Sequence, residues 1–129
     1  MSVEFIDPPG VPRAGYSHVA VVTGGRTIHV SGQVAVDEQG RVVGTTFEAQ
    51  AERVFDNLER ALAAAGATLA HVAKMNVYVV GLDAARVKAF REIRGRRFGE
   101  HRPASTLVGT TALVVPEFML EVEVVAVTD

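Results

Sequence analysis

The sequence predicts an α+β domain, one mixed sheet covered on a single face by two helices, in the order βββαβαββ. Three observations carry that prediction. Apolar residues recur at three- and four-residue spacing from Phe47 to Ala65, which marks an amphipathic helix. From Phe118 to Val127 the spacing changes to two, the signature of a strand with one buried face. The chain has 129 residues, 48% of them apolar and 22% charged, enough for one core, and no linker or repeat divides it, so a single domain over residues 1–129 is expected.

The elements follow in order. Residues 1–15 contain Pro8, Pro9, Gly10, Pro12 and Gly15 and are expected to form an irregular arm. His18–Thr23 and Thr27–Ser31 are β-rich, and Gly24-Gly25 between them signals a two-residue hairpin, because glycine accepts the positive φ such a turn needs. Val34–Val36 and Arg41–Val43 flank a second turn-like segment, Asp37-Glu38-Gln39-Gly40. Thr45-x-x-Glu48 is a capping-box pattern that opens a helix over about residues 46–65, closed by Gly66. Its inner face is Phe47, Ala51, Val54, Phe55, Leu58, Leu62 and Ala65, and Glu48, Glu52, Arg53, Asp56, Glu59 and Arg60 are expected mostly toward solvent. Val72–Val80 is a β-branched strand. Asp83 caps a second helix that turns Val87, Phe90, Ile93 and Phe98 inward, and Pro103 ends the helical pattern. Ser105–Thr110 and Phe118–Val127 complete the sheet. In the last strand Phe118, Leu120, Val122, Val124 and Ala126 share one face, while Met119, Glu121, Glu123, Val125 and Val127 share the other. Two helices cover only one side of the sheet. The apolar residues left on the second side predict a homo-oligomer that buries it.

Composition narrows the chemistry. There is no cysteine, which removes disulfides, thiolate metal sites and thiol nucleophiles. Thirteen Lys and Arg against fifteen Asp and Glu give a net charge of -2, without the basic excess of a dedicated nucleic-acid binder. No signal segment or membrane-length apolar run is visible, so a cytoplasmic protein is expected. His18, His29, His71 and His101 lack metal-ligand spacing, and no metal or cofactor is predicted. Arg91, Arg94, Arg96, Arg97 and Arg102 cluster near the end of the second helix, where a solvated, dipole-favoured basic surface is expected. No phosphate loop or nucleophile elbow is present. Glu121 and Glu123 lie on one side of a strand, about 7 Å apart, on the face expected to be interfacial. A carboxylate desolvated there tends toward a raised pKa and can act as a general base for water, or it can pair with an arginine across the interface.

Several short segments together resemble the reactive-intermediate deaminase (Rid) family, also called the YjgF family or endoribonuclease L-PSP. They are Gly15-Tyr16-Ser17-His18, Val30-Ser31-Gly32-Gln33, Gln50 and Asn57-Leu58, Ala64-Ala65-Gly66, Val72 to Tyr78, Arg102-Pro103-Ala104-Ser105 and Leu120-Glu121-Val122-Glu123. They span nearly the whole chain in the family's order. The resemblance implies a chorismate-mutase-like fold in a barrel-shaped homotrimer with clefts between subunits. It also implies cofactor-free hydrolysis of small imines or enamines, with a glutamate managing the water and an arginine holding a substrate carboxylate. By position, Glu121 falls on the water-handling glutamate and Tyr16 on the pocket tyrosine. Ser31 and Gly32 fall on the loop lining the pocket, Lys88 on a polar pocket neighbour, and Glu123 on a structural partner. The arginine is absent: Pro103-Ala104 is followed by Ser105, and a hydroxyl lacks the charged, bidentate grip of a guanidinium. The chain thus resembles an arginine-lacking subgroup, expected to turn over ordinary 2-imino acids weakly. The expected function is hydrolysis of a small imine, enamine or related carbonyl-derived metabolite. The alternatives are a trimer that binds a metabolite or acts as a chaperone-like partner without turnover and, ranked last, an endoribonuclease.

Overall fold

The computed structural model describes residues 1–129. Six strands and two helices run in the order β1 (Ser2–Ile6), β2 (Val19–Thr23), β3 (Arg26–Gln33), α1 (Phe47–Ala64), β4 (Val72–Val80), α2 (Ala84–Phe98), β5 (Ala104–Thr110) and β6 (Leu120–Thr128), with a short 3-10 turn at Leu69–His71 before β4. The main sheet has the order β3-β6-β4-β5, with β4 and β5 parallel and the other pairs antiparallel. It is the expected mixed sheet with its helices on one side, the chorismate-mutase-like arrangement. Met75, Val77, Val79, Leu120, Val122, Val124 and Ala126 form its inner face and pack on Phe55, Leu58 and Leu62 of α1 and Phe90 and Ile93 of α2. Each such side chain fully removed from water contributes roughly 1.5–3 kcal/mol. The Phe55 ring stacks on Phe90 at 5.9 Å and meets Phe98 edge-on at 6.0 Å. No helix is long and apolar enough to cross a membrane.

Three local expectations change. The first residues are not all irregular, because Ser2–Ile6 form β1, antiparallel to β2. Gly24 and Gly25 do adopt positive φ (68° and 84°), but β2 and β3 do not pair across them. Instead β1 and β2 form a separate two-stranded ribbon. It lies at the end of the main sheet where β4 begins, with Val3 and Phe5 beside Val72, His101 and Val127. Ser17 anchors it: its N–H and Oγ donate to the carbonyls of Pro103 (3.2 Å) and Arg102 (2.5 Å). Val34–Val36 and Arg41–Val43 touch only through a single bridge, Val36 to Val42, around a turn held by Asp37 Oδ1. The helix cap also moves by one residue. Thr46, not Thr45, accepts from the N–H of Ala49 at 3.1 Å, and no glutamate reciprocates.

The polar face of α1 is less solvated than its periodicity predicts. Arg97 of α2 donates to Glu52 (3.0 Å), Asp56 (2.9 Å) and Glu59 (2.7 Å), and Arg96 also pairs with Glu52. Asn57 donates to the carbonyls of Val34 and Val36, and Arg53 to that of Val36, which ties the irregular 34–43 segment to the helix. Partial burial disfavours the charge on Glu52, but hydrogen bonds and attraction from Arg96 and Arg97 outweigh it and hold the carboxyl below its ordinary 4.5. A carboxyl with a lowered folded-state pKa stabilises the fold above its unfolded pKa and loses that contribution as pH falls through the folded value. Thermal melting is therefore expected to weaken below about pH 4.5 by up to about 1 kcal/mol from this partly exposed pair, and less so in Glu52→Gln. Equal acid sensitivity of the two proteins would remove the pair from the account.

Candidate active site

The first group of predicted site residues lies where β3 meets β6. Val30 pairs with Val124 but Gln33 pairs with Val122, so Ser31-Gly32 carries one extra residue, a β-bulge. The bulge brings the Gly32 backbone onto the side chain of Glu121. A Cβ at position 32 would stand 2.7 Å from Glu121 Cδ and collide with Oε2, so only glycine leaves the carboxylate its place. Glu121 lies opposite Tyr78 on β4, half-buried, on the face away from the helices. Its carboxylate takes part in no ion pair. Glu123 on the same face is engaged: Tyr78 Oη donates to Oε1 at 2.7 Å and Asn76 Nδ2 at 3.3 Å. That hydrogen bond, then burial and the charges of Glu123 and Glu121, push the Tyr78 phenol above its ordinary 10.0, so it remains a proton donor. The two glutamates thus divide into a held one and a free one. Ser31 and Glu123 line a cavity of about 260 Å³ with His29, Lys74 and Asn76.

The second group lies at β5. Tyr16 and Ser105 line a cavity of about 310 Å³ together with Leu82, Val87, Arg91, Arg94 and Leu107. Ser105 pairs in register with Met75, so its side chain points to the helix side of the sheet. Lys88 is exposed on α2 and does not reach this cavity; Arg91 and Arg94, three and six residues later, do. Arg94 was counted in the sequence among surface cations, and here the expectation fails. It is 7% exposed, set between Phe90 and Phe98 on the inner face of α2. The signal was present, since residues 90, 94 and 98 are spaced by four and share one helix face. Gly15 makes room for its guanidinium: a Cβ there would stand 3.4 Å from Cζ and collide with Nη2. Burial, together with repulsion from Arg91 and Arg102, lowers the Arg94 pKa below the usual guanidinium range, partly offset by Tyr16.

The two groups do not meet within one chain. Glu121 lies opposite Tyr78 and Ser105 opposite Met75, three residues apart on β4 and so on opposite faces. Two strand spacings of about 4.8 Å and three residues of about 3.3 Å separate them by about 14 Å in the plane of the sheet. Three of the four histidines serve locally. His101 bonds the Val72 carbonyl (2.7 Å), His18 that of Pro12 (2.7 Å), and His71 accepts from the Thr68 N–H (3.0 Å).

Comparison with known proteins agrees with this architecture. The family signature of endoribonuclease L-PSP matches residues 8–128. A RutC family protein of Pyrococcus abyssi is 33% identical over 96% of this chain and 94% of its own length. The 3-aminoacrylate deaminase RutC of Acinetobacter baylyi is 29% identical, with 98% of each chain covered. The crystal structure of a conserved Rid family protein of unknown function from Yersinia pestis superimposes with a TM-score of 0.92 at 34% identity, covering 99% of this chain and 100% of the other. RidA from an Antarctic Psychrobacter gives 0.73 at 30% identity, covering 97% and 99%. A signature running through all six main-sheet and helical elements, carried on the same fold, makes this chain a member of the Rid/YjgF, or endoribonuclease L-PSP, family.

Proposed function

We propose that the protein hydrolyses small imines or enamines, without a cofactor, in clefts between the subunits of a homotrimer. The observation that carries this is the free Glu121 carboxylate, seated against Gly32 while Tyr78 and Asn76 hold its neighbour Glu123. Water adds to the carbon of a C=N bond and gives up a proton to Glu121, and the nitrogen takes up a proton in exchange. The resulting carbinolamine expels ammonia and leaves a carbonyl; an enamine first takes a proton at carbon to become the imine. Tyr16 and Ser105, on the far face, would serve the same substrate from a neighbouring chain, which is why one chain carries two half-sites. The backbone of Ser31 and Gly32 would complete the wall beside Glu121. A relative named for the deamination of 3-aminoacrylate, an enamine acid, supports the reaction class. Cleavage of RNA finds less support, because Arg96 and Arg97 of the basic cluster are already engaged by Glu52, Asp56 and Glu59.

The test is ammonia release from imines and enamines generated in solution, compared between the natural protein and Glu121→Gln, with oligomeric mass measured for both. Accelerated release by the natural protein alone, from trimers of both, is expected. No acceleration of any substrate, combined with retention of small carbonyl compounds by the trimer, would replace the enzyme with a binding protein.

A further inference from the structure

The turn that leaves α2 gathers cations that nothing in the chain neutralises. Arg91, Arg94 and Arg102 border one recess of about 100 Å³, with His101 beside them and Gly15 and Gly99 in the wall. No Asp or Glu lines it. None of the three arginines takes part in an ion pair. The guanidinium groups that donate hydrogen bonds are those of Arg26, Arg53, Arg60, Arg86, Arg96 and Arg97, so these three are free of them as well. Arg96 and Arg97 show the contrast: they face α1, where Glu52, Asp56 and Glu59 take them up. One half of the basic cluster is closed by carboxylates and the other half is open. Arg94 is the inner member of the open half, 7% exposed, and Arg91 and Arg102 stand close enough to disfavour its charge. Like charges held together at a partly buried place cost free energy that a bound anion would return. The recess is also fixed in shape. Ser17 holds the carbonyls of Arg102 and Pro103, His101 bonds the carbonyl of Val72, and Gly99, at φ 64°, turns the chain out of the helix.

We propose that this recess is a binding site for a phosphate group, free or at the end of a small phosphomonoester. A phosphate group carries up to about two negative charges near neutral pH and several strong acceptor oxygens. That matches three guanidinium groups in charge and in donors, as a monovalent carboxylate does not. Size points the same way. A volume of about 100 Å³ is that of about three waters in the liquid, room for one tetrahedral oxyanion but not for a sugar or a base. The rest of an ester would stay at the mouth, beside the exposed Arg91 and Arg102. The C-terminal end of α2 opposes an anion with about half an elementary charge. Three full positive charges on the side chains outweigh it and set the sign of the site. The recess is distinct from the cavity beside Ser105: Gly99, His101 and Arg102 border only the recess, Tyr16, Ser105 and Leu107 only the cavity, and Arg91 and Arg94 stand between the two. Gly15, by having no Cβ, leaves the Arg94 guanidinium its place in that partition.

Calorimetric titration of the intact protein with inorganic phosphate, at a constant ionic strength of about 0.15 M, tests the site without any turnover. Phosphate is expected to bind and to raise the melting temperature, as a ligand of the folded state must. Acetate, at the same ionic strength, is expected to bind at least about tenfold more weakly. Arg102→Gln changes a side chain that borders the recess alone, and is expected to weaken phosphate binding at least about tenfold, the size of one lost charge-assisted bond. Should Arg102→Gln not fold, Arg91→Gln carries the same expectation. Arg96→Gln removes an equal charge from the paired half of the cluster and is expected to leave phosphate binding within about threefold. Glycerol 3-phosphate, titrated in parallel, separates the sources of the group. Binding of both probes would show a site for the phosphoryl end of an ester, and binding of inorganic phosphate alone a site for the free ion; either upholds the proposal. Binding of neither probe would overturn it. So would acetate binding as well as phosphate, or Arg96→Gln weakening phosphate as much as Arg102→Gln, since either would reduce the recess to diffuse surface charge.

Discussion

Glu121→Gln is expected to lower kcat for imine hydrolysis by about 10²–10⁴-fold, the usual contribution of a positioned general base. The amide has nearly the shape of the carboxylate, so it fits the space left by Gly32, and the packing of β3 on β6 has no reason to change. It cannot accept the proton that water must lose as it adds to the C=N carbon. KM is expected to hold, because the substrate contacts proposed for Tyr16 and Ser105 lie on the other half-site. Gly32→Ala approaches the same carboxylate from the other direction. Its Cβ would stand 2.7 Å from Cδ and 3.0 Å from Cγ, so the acid must move although its chemistry is intact. A displacement of about 1 Å from a working geometry can cost on the order of 10²-fold. The alanine variant is therefore expected to be slow although Glu121 keeps its carboxylate. Turnover by Glu121→Gln within about threefold of the natural protein would show that no proton passes through this residue.

The sequence was most legible where a period was long and a side chain simple. The α1 face and the alternation of β6 announced themselves through nine or more residues each, and both stand as expected. β1 was hidden because its five residues adjoin a run of prolines, and a short alternation next to strong breakers reads as loop. The ribbon was missed for a different reason. Two glycines with positive φ specify a tight reversal, but no local signal says whether the strands they join will pair with each other or part into different layers. At the site, Glu121 was visible because an acid interrupted an apolar face. Glu123 could be ranked beneath it only by the resemblance, and the structure supplies the physical reason, the Tyr78 hydroxyl on its carboxylate. Arg94 was masked by company: one of five arginines within twelve residues, it reads as surface charge unless helix phase is weighed above composition. Composition describes the cluster; phase separates the two arginines paired to α1 from the one that is buried.

Gln50→Leu is expected to destabilise the fold by about 3 kcal/mol and to slow turnover as well. Gln50 is 1% exposed on the inner face of α1, a place the apolar period reserves for a hydrocarbon. Its Nε2 donates to the carbonyls of Gly44 (3.2 Å) and Glu117 (2.9 Å), and its Oε1 accepts from the Met119 N–H (2.9 Å). Leucine fills similar space but answers none of the three. A buried polar group left without a partner costs about 1–3 kcal/mol, and with Glu117 exposed its carbonyl recovers most of its loss from water, which sets the total near 3 kcal/mol. For a chain of this length that corresponds to a melting temperature lower by about 10 °C. The effect on turnover follows from where the bonds end. Met119 also accepts from the Val80 N–H at 3.0 Å, and two residues later the strand delivers Glu121 to Gly32. Freeing Met119 loosens the entry of β6, so kcat should drop at temperatures where the variant is still folded, with KM for carboxylate substrates little changed. Glu121→Gln separates the two consequences, since it removes the base and leaves melting alone. Stability and rate falling together at position 50, but rate alone at position 121, would place the buried amide as the brace between the core and the water-handling acid. An unchanged melting temperature in Gln50→Leu would mean that the three backbone groups find water in its stead, and that the start of β6 is set by the strand pairing alone.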